Sequence, residues 1–144
     1  MKFLVEYALK FVGINYLWGG NNAIQGFDCS GLVQEILACV GMDPQGRDTA
    51  QSLFDHFSHQ GIGLSSPMPG ALAFYGPTPQ SVKHVGFCIN EHLMVEAGGG
   101  GSSTTSPQAA AKASAVVRIR PIGRRSDLLA VYLPSYPAWV VKDL

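Results

Sequence analysis

A glycine- and asparagine-rich run, Trp18-Gly19-Gly20-Asn21-Asn22, leads through the tetrapeptide Asp28-Cys29-Ser30-Gly31 into an apolar segment, Leu32 to Val40. This loop-to-helix junction constrains the chain more than any other stretch. Leu32, Val33, Ile36, Leu37 and Val40 predict a helix over 29–40 that is apolar enough to be central, and Gly41 ends it. Cys29 therefore opens a helix, where backbone N–H groups lack intrahelical acceptors and the dipole favours an anion. Thiolate is the reactive form of cysteine, and such a position favours it. The same residue also reads as a small buried hydrophobe, a common fate of free cysteine. The junction alone does not choose.

The flanking pattern sets the fold class. Phe3, Leu4, Tyr7, Ala8, Phe11 and Val12 predict a first helix over 2–12, and 14–27 reads as a loop. Asp48 or Thr49 can cap a third helix through about His59, with Leu53, Phe54 and Phe57 inward. After Pro67 and Pro69 the period changes. Ala71–Tyr75, Val82–Ile89, Leu93–Ala97, Val116–Ile119 and Leu128–Tyr132 read as short strands, with a hairpin turn at Asn90–His92. Helices first and antiparallel strands after is an α+β layout. At 144 residues the expectation is one domain, 1–144, with 98–115 as a mobile surface loop.

Composition removes several function classes. Net charge is +0, and the one tight basic cluster, Arg118, Arg120, Arg124 and Arg125, is too local for nucleic acid. A solvated face that guards a sheet edge is the expectation for it. Three cysteines without a C-x-x-C pair argue against a disulfide framework or a zinc site, so Cys39 and Cys88 read as core residues. No apolar run reaches membrane-spanning length, and the N-terminus lacks the apolar core of a signal peptide. Delivery to a substrate outside the cell would then fall to other machinery.

A cysteine nucleophile needs a base and something to orient that base. His84 is the best candidate: it opens a strand, and Gly86 beside it leaves room. His56 and His59 read as residues of an exposed helix face, and His92 as part of a turn. Glu96 lies twelve residues beyond His84, so a hairpin turning near Asn90–His92 brings the two within a direct or diagonal cross-strand pair. A carboxylate between Val95 and Ala97 needs a partner if buried, and an imidazole is one. The competing reading is an outward-facing edge-strand glutamate.

Six segments now stand in order: Tyr16-Leu17-Trp18-Gly19-Gly20, Asp28-Cys29-Ser30-Gly31-Leu32-Val33, Arg47-Asp48-Thr49-Ala50-Gln51, Pro69-Gly70-Ala71-Leu72-Ala73-Phe74, His84-Val85-Gly86-Phe87 and Met94-Val95-Glu96-Ala97. Together, over residues 5–100, they resemble the NlpC/P60 family of cysteine peptidases. The resemblance implies a circularly related papain-like fold and hydrolysis of peptidoglycan stem peptides, typically between γ-D-glutamate and the diamino acid. It implies Cys29 as nucleophile, His84 as base and Glu96 as the group orienting the imidazole. It implies that Tyr16 and Trp18 line the cleft, and that Asp28 and Ser30 shape the subsite for the N-terminal part of the stem. The family's Gly-Asp-Leu appears here as Gly70-Ala71-Leu72, which loses a structural or substrate-facing carboxylate. No metal or cofactor is implied.

Two alternatives accompany this reading. One is a thiol amidase or acyltransferase on a related fold. The other is a non-catalytic wall-binding module of a phage particle. Without a recognisable leader, the chain is expected to reach the wall as a phage or phage-like tail component, a lysin or an injected effector.

Overall fold

The computed structural model describes residues 1–98, 106, 108–109 and 115–142. Most of the expected mobile loop at 98–115 therefore lies outside the described residues. Helix α1 (Lys2–Leu9) is shorter than its apolar period predicts. From Lys10 onward the chain tightens into turns, with Phe11 N–H donating to Ala8 O and Val12 N–H to Leu9 O. A short hairpin, β1 (Asn21–Asn22) and β2 (Gly26–Phe27), follows within the expected loop. Helix α2 (Cys29–Ala38) starts where the junction placed it, and α3 (Ala50–Gln60) is capped by Thr49 in a reciprocal box with Ser52.

A six-stranded antiparallel sheet carries the rest. Its strands are β3 (Gly61–Leu64), β4 (Leu72–Tyr75), β5 (His84–Cys88), β6 (Leu93–Ala97), β7 (Val117–Pro121) and β8 (Leu128–Pro134), in the order β3-β8-β4-β5-β6-β7. Strand β3 has no counterpart in the sequence reading. Gly61-Ile62-Gly63-Leu64 has only two side chains beyond glycine, Ile62 and Leu64, too few to signal a strand, and it pairs at the edge with β8. A short α4 (Ala138–Val141) closes against the start of the chain, where the Met1 amino group donates to Val140 O.

The sheet is buried on both faces. Leu72, Phe74, Val85, Phe87, Val95, Ala97 and Val117 pack against the helices, whose contribution includes Leu4, Leu32, Ile36, Leu37, Leu53 and Phe57. Ala71, Ala73, Tyr75, Cys88, Met94 and Val131 form a second cluster on the opposite face. Cys88 is the core residue expected of it, and Cys39 is half-buried against the larger cluster. Ala71 is fully buried in the smaller one, so the position where the family pattern has an aspartate is a packing position in this chain.

The start of α2 is locked under the glycine-rich loop. Asp28 N–H donates to Gly20 O at 2.9 Å, and a Cβ built on Gly31 would overlap that same carbonyl oxygen. A Cβ on Gly20 would in turn overlap Gly26 O. Three glycines thus let two loop segments and the first turn of α2 touch backbone to backbone. Gly31→Ala is expected to lower the unfolding free energy by about 1–3 kcal/mol, as overpacking of a rigid contact does. Gly123→Ala, where an added Cβ meets nothing within 4 Å, should stay within about 0.5 kcal/mol of the parent. Urea midpoints of the two variants check the contrast.

Candidate active site

Cys29 occupies the first turn of α2, immediately after the N-cap Asp28. The Asp28 carboxylate accepts from Gly31 N–H at 2.7 Å, so it satisfies one of the donors at the helix start. Burial holds the Asp28 carboxyl above its ordinary value, against the opposing pull of its hydrogen bonds from Gly31, Ser30 and Gly19. Ser30 is 3% exposed, and its single hydroxyl hydrogen faces two acceptors, Asp48 O at 3.0 Å and Asp28 Oδ1 at 3.2 Å. Its geometry is that of a brace between α2 and the segment before α3. Cys29 itself is half-buried.

His84 and Glu96 face each other across the β5–β6 pair. The observed register places Phe87 opposite Val95 and Cys88 opposite Met94. Continued along the strands, it sets Glu96 diagonal to His84, one of the two geometries the hairpin spacing allows. His84 Nε2 and Glu96 Oε2 are 2.5 Å apart, and both residues are buried, at 7% and 5% exposure. The outward-facing reading of Glu96 is thereby excluded. Burial alone would lower the His84 pKa, but hydrogen bonds to Cys29 and Glu96 outweigh it and raise the value to about 9. Burial pushes the Glu96 carboxyl up, and the His84 bond, with Arg120 and Arg124 behind it, brings it below its ordinary value. With Nε2 on Glu96, Nδ1 is the nitrogen left for the thiol of Cys29.

Tyr16 joins this group from the loop. It is half-buried, and burial followed by the proximity of Cys29 and Asp28 raises its hydroxyl pKa. Trp18 stands on the same loop and is 48% exposed. Cys29, His84, Glu96, Tyr16 and Asp28 are thus drawn together, Ser30 lies beneath them, and Trp18 projects to solvent. His92 is exposed in its turn and His59 is exposed on α3, as expected, while His56 is half-buried with its ring edge-on to Phe57.

Two supporting residues escaped the sequence reading. Gln51 accepts from Val82 N–H at 2.8 Å and donates to Pro79 O at 2.9 Å, so its amide acts as a strand partner for the segment just before His84. The signal was present as the last residue of Arg47-Asp48-Thr49-Ala50-Gln51, but its partner lies 31 residues away. Arg120 is the other. The basic cluster was read as a solvated edge guard, and β7 is indeed an edge strand of the described sheet. Yet Arg120 Nε is enclosed, 3.9 Å from Glu96 Oε1, because β7 pairs Arg120 and Arg118 with the face that carries Glu96.

The His84 shift carries a pH dependence. Its folded-state pKa lies above the unfolded value near 6.5, so the stabilisation is complete below about pH 6.5 and is lost as pH rises through about 9. Unfolding free energy should fall by roughly 3 kcal/mol over that window, judged from the size of the shift. Urea titrations at several pH values check it, and the His84→Ala chain should lack that component.

A family model described as NlpC/P60 matches residues 13–120. Among curated proteins, the chain is 37% identical over 94 residues to the bifunctional muramidase/DL-endopeptidase CwlT of Bacillus subtilis, covering 63% of this chain and 27% of that protein. The chain spans about a fifth to a quarter of the length of the first curated relatives it matches. Among solved structures, the NlpC/p60 domain of the peptidoglycan hydrolase SagA superposes with a TM-score of 0.66 at 22% identity, covering 90% of this chain and 94% of that one. RipD of Mycobacterium tuberculosis, described as a non-catalytic NlpC/p60 domain protein adapted to peptidoglycan binding, does so with a TM-score of 0.66 at 20% identity, covering 93% and 95%. At these identities the structural matches speak to the fold, which is α+β with helices packed on an antiparallel sheet. None of these relatives is described as part of a phage particle, so the tail-component expectation draws no support from them.

Proposed function

We propose that this chain, which belongs to the NlpC/P60 family, is a cysteine peptidase that cuts peptidoglycan stem peptides, between γ-D-glutamate and the diamino acid. The observation that carries the reading is the chain of contacts from Cys29 through His84 to Glu96, at the start of a buried helix. Relatives support the substrate class: CwlT is named a DL-endopeptidase and SagA a peptidoglycan hydrolase.

The steps follow from the side chains. His84, held as imidazolium by Glu96, pairs with the Cys29 thiolate. The sulfur attacks the amide carbonyl carbon and the carbonyl electron pair moves to oxygen. The Cys29 backbone N–H, in a turn whose N–H groups lack intrahelical acceptors, and the Tyr16 hydroxyl donate to that oxyanion. One such donor is typically worth about 3 kcal/mol of barrier. The oxyanion then collapses, the C–N bond breaks, and His84 gives its proton to the departing amine. Water attacks the resulting thioester while His84 takes up the water proton, and the Cys29 thiolate leaves. Burial of the His84–Glu96 pair keeps the imidazole in one orientation through both halves. None of the described helices is long and apolar enough to cross a membrane.

Digestion of purified sacculi with mass analysis of the fragments tests the reaction. The parent chain should release peptides that begin with the diamino acid and leave glycan-linked stubs ending in γ-D-glutamate, Cys29→Ala and His84→Ala should release almost none, and Glu96→Gln should keep weak activity, because orienting groups cost less than the nucleophile or base. Full activity of Cys29→Ala would sink the catalytic reading. Binding of sacculi with cleavage neither of them nor of free stem peptides by the parent would favour a RipD-like role. Fragments cut at another amide would instead point to the thiol amidase alternative.

The Asp28 carboxylate, half-buried beside Cys29, is proposed to read the free amine of a stem peptide that begins with L-Ala. Stems with that amine free should be cut faster than N-acetylated ones, and Asp28→Asn should remove the preference while sparing turnover of the acetylated stem. Relative kcat/KM on the two peptides measures it. Equal rates for both peptides in the parent chain would contradict this role.

A further inference from the structure

The reading of Cys29, His84 and Glu96 as the reacting group leaves a partly buried cation beside them, Arg120, with no assigned role. Arg120 Nε is enclosed and makes no hydrogen bond, yet it lies 3.9 Å from Glu96 Oε1, the carboxylate oxygen that His84 does not occupy. The Glu96 side chain is only 6% exposed. A carboxylate so buried holds its charge only if cations compensate it. His84 compensates part of it, but the imidazole must give up its Nδ1 proton in each turnover, and at that moment Glu96 keeps the Nε2–H hydrogen bond but loses the compensating charge. A second, permanently charged partner removes the difficulty, because a guanidinium does not deprotonate in this range.

Several charged groups surround Glu96, and among the described residues Arg120 Nε is the enclosed guanidinium nitrogen without a hydrogen bond. Facing Glu96 are His84 from β5, Tyr75 from β4, Arg118 and Arg120 from β7, and Arg124 and Arg125 from the short 3₁₀ turn Ile122–Arg124 and its exit. Asp127 acts on His84 from beyond that turn. Arg125 is committed to Asp127 through two hydrogen bonds, 2.8 and 2.7 Å, and lies over the Tyr75 ring. Arg124 is exposed, where solvent screens its charge. Arg120 combines enclosure, proximity and an unused donor, and a movement of about 1 Å would bring it to hydrogen-bonding distance of Oε1.

We infer that Arg120 is a positioning residue: its guanidinium holds Glu96 ionised while the His84 proton comes and goes, so that the imidazole keeps its orientation through the cycle. The inference rests on the catalytic reading above, and a test that needs no peptidoglycan separates the two. Iodoacetamide alkylation of Cys29 is followed by peptide mass across pH 3.5–9 in the full chain and in Arg120→Gln, Arg120→Met and Arg120→Lys.

An opposite charge at this distance typically moves a carboxyl by roughly 1–3 pH units. The acid limb of Cys29 alkylation should therefore shift upward by about one unit or more in the two neutral variants. Lys should restore it toward the parent, and Arg120→Met should add nothing on a Glu96→Gln background. A purely structural role would lower alkylation control or stability without moving the limb. An unmoved limb with Cys29 still selectively alkylated overturns the inference and leaves the catalytic reading standing. Equal alkylation of Cys29, Cys39 and Cys88 in the parent overturns both. Two neutral variants of different shape are used so that one folded protein suffices. In the parent itself, the Glu96 carboxyl followed by carbon-13 NMR must titrate below the ordinary carboxylate range, and a value within or above it overturns the inference without any variant.

Discussion

Everything at the site hangs from a backbone contact: Gly20 O against the first turn of α2. That carbonyl accepts the Asp28 N–H and sits where the Gly31 side chain would be. The contact sets how far α2 begins from the loop carrying Tyr16 and Trp18, and so fixes the position of Cys29 relative to both. It works only because three residues lack a Cβ, and it is reinforced by the Asp28 cap at 2.7 Å and the Ser30 brace to Asp48 O. The remainder of α2 anchors this turn, since Leu32, Val33, Ile36 and Leu37 are wholly buried against the sheet. The helix start is therefore a rigid platform, which is what a nucleophile held to a fraction of an ångström requires.

Against that platform the sheet presents a polar pair in otherwise apolar strands. Every residue of β5 and four of the five in β6 are buried, and His84 and Glu96 are the residues among them whose side chains carry charge near neutral pH. Such a pair is weak as a source of stability, because desolvation offsets much of the attraction, whereas removing one partner of a buried pair costs about 3–5 kcal/mol. Its retention at the mouth of an apolar layer is better understood as orientation than as glue. The pair also connects to structure on either side. Gln51 from α3 holds the segment entering β5, and Arg120 from β7 faces the far oxygen of Glu96.

Several features could be read before any coordinates. The loop-to-helix junction placed Cys29 at a helix start, Thr49 was one of two named caps for α3, and the spacing from His84 to Glu96 across an Asn90–His92 turn implied a hairpin pair. These are local: capping, helical period and hairpin length act within a few residues, and their signals survive in the linear chain. The first helix was read too long because Phe11 and Val12 keep the apolar period after the hydrogen bonding has tightened into turns. Strand β3 was missed because an edge strand rich in glycine has little pattern to display.

The sequence by itself determined which residues could do chemistry and in what order along the chain they would be met, since helix period, capping and hairpin spacing are properties of neighbours. Only the tertiary structure decided which of them are enclosed and what they touch. That Glu96 turns inward, that Ala71 is a packing residue and that Arg120 Nε comes to face Glu96 all follow from the strand order β3-β8-β4-β5-β6-β7 and from its registers. A strand's two faces are interchangeable until its neighbours are known, because shifting register by one residue exchanges inside for outside. Partners separated by dozens of residues, such as Gln51 and Val82, meet through packing that no local signal encodes.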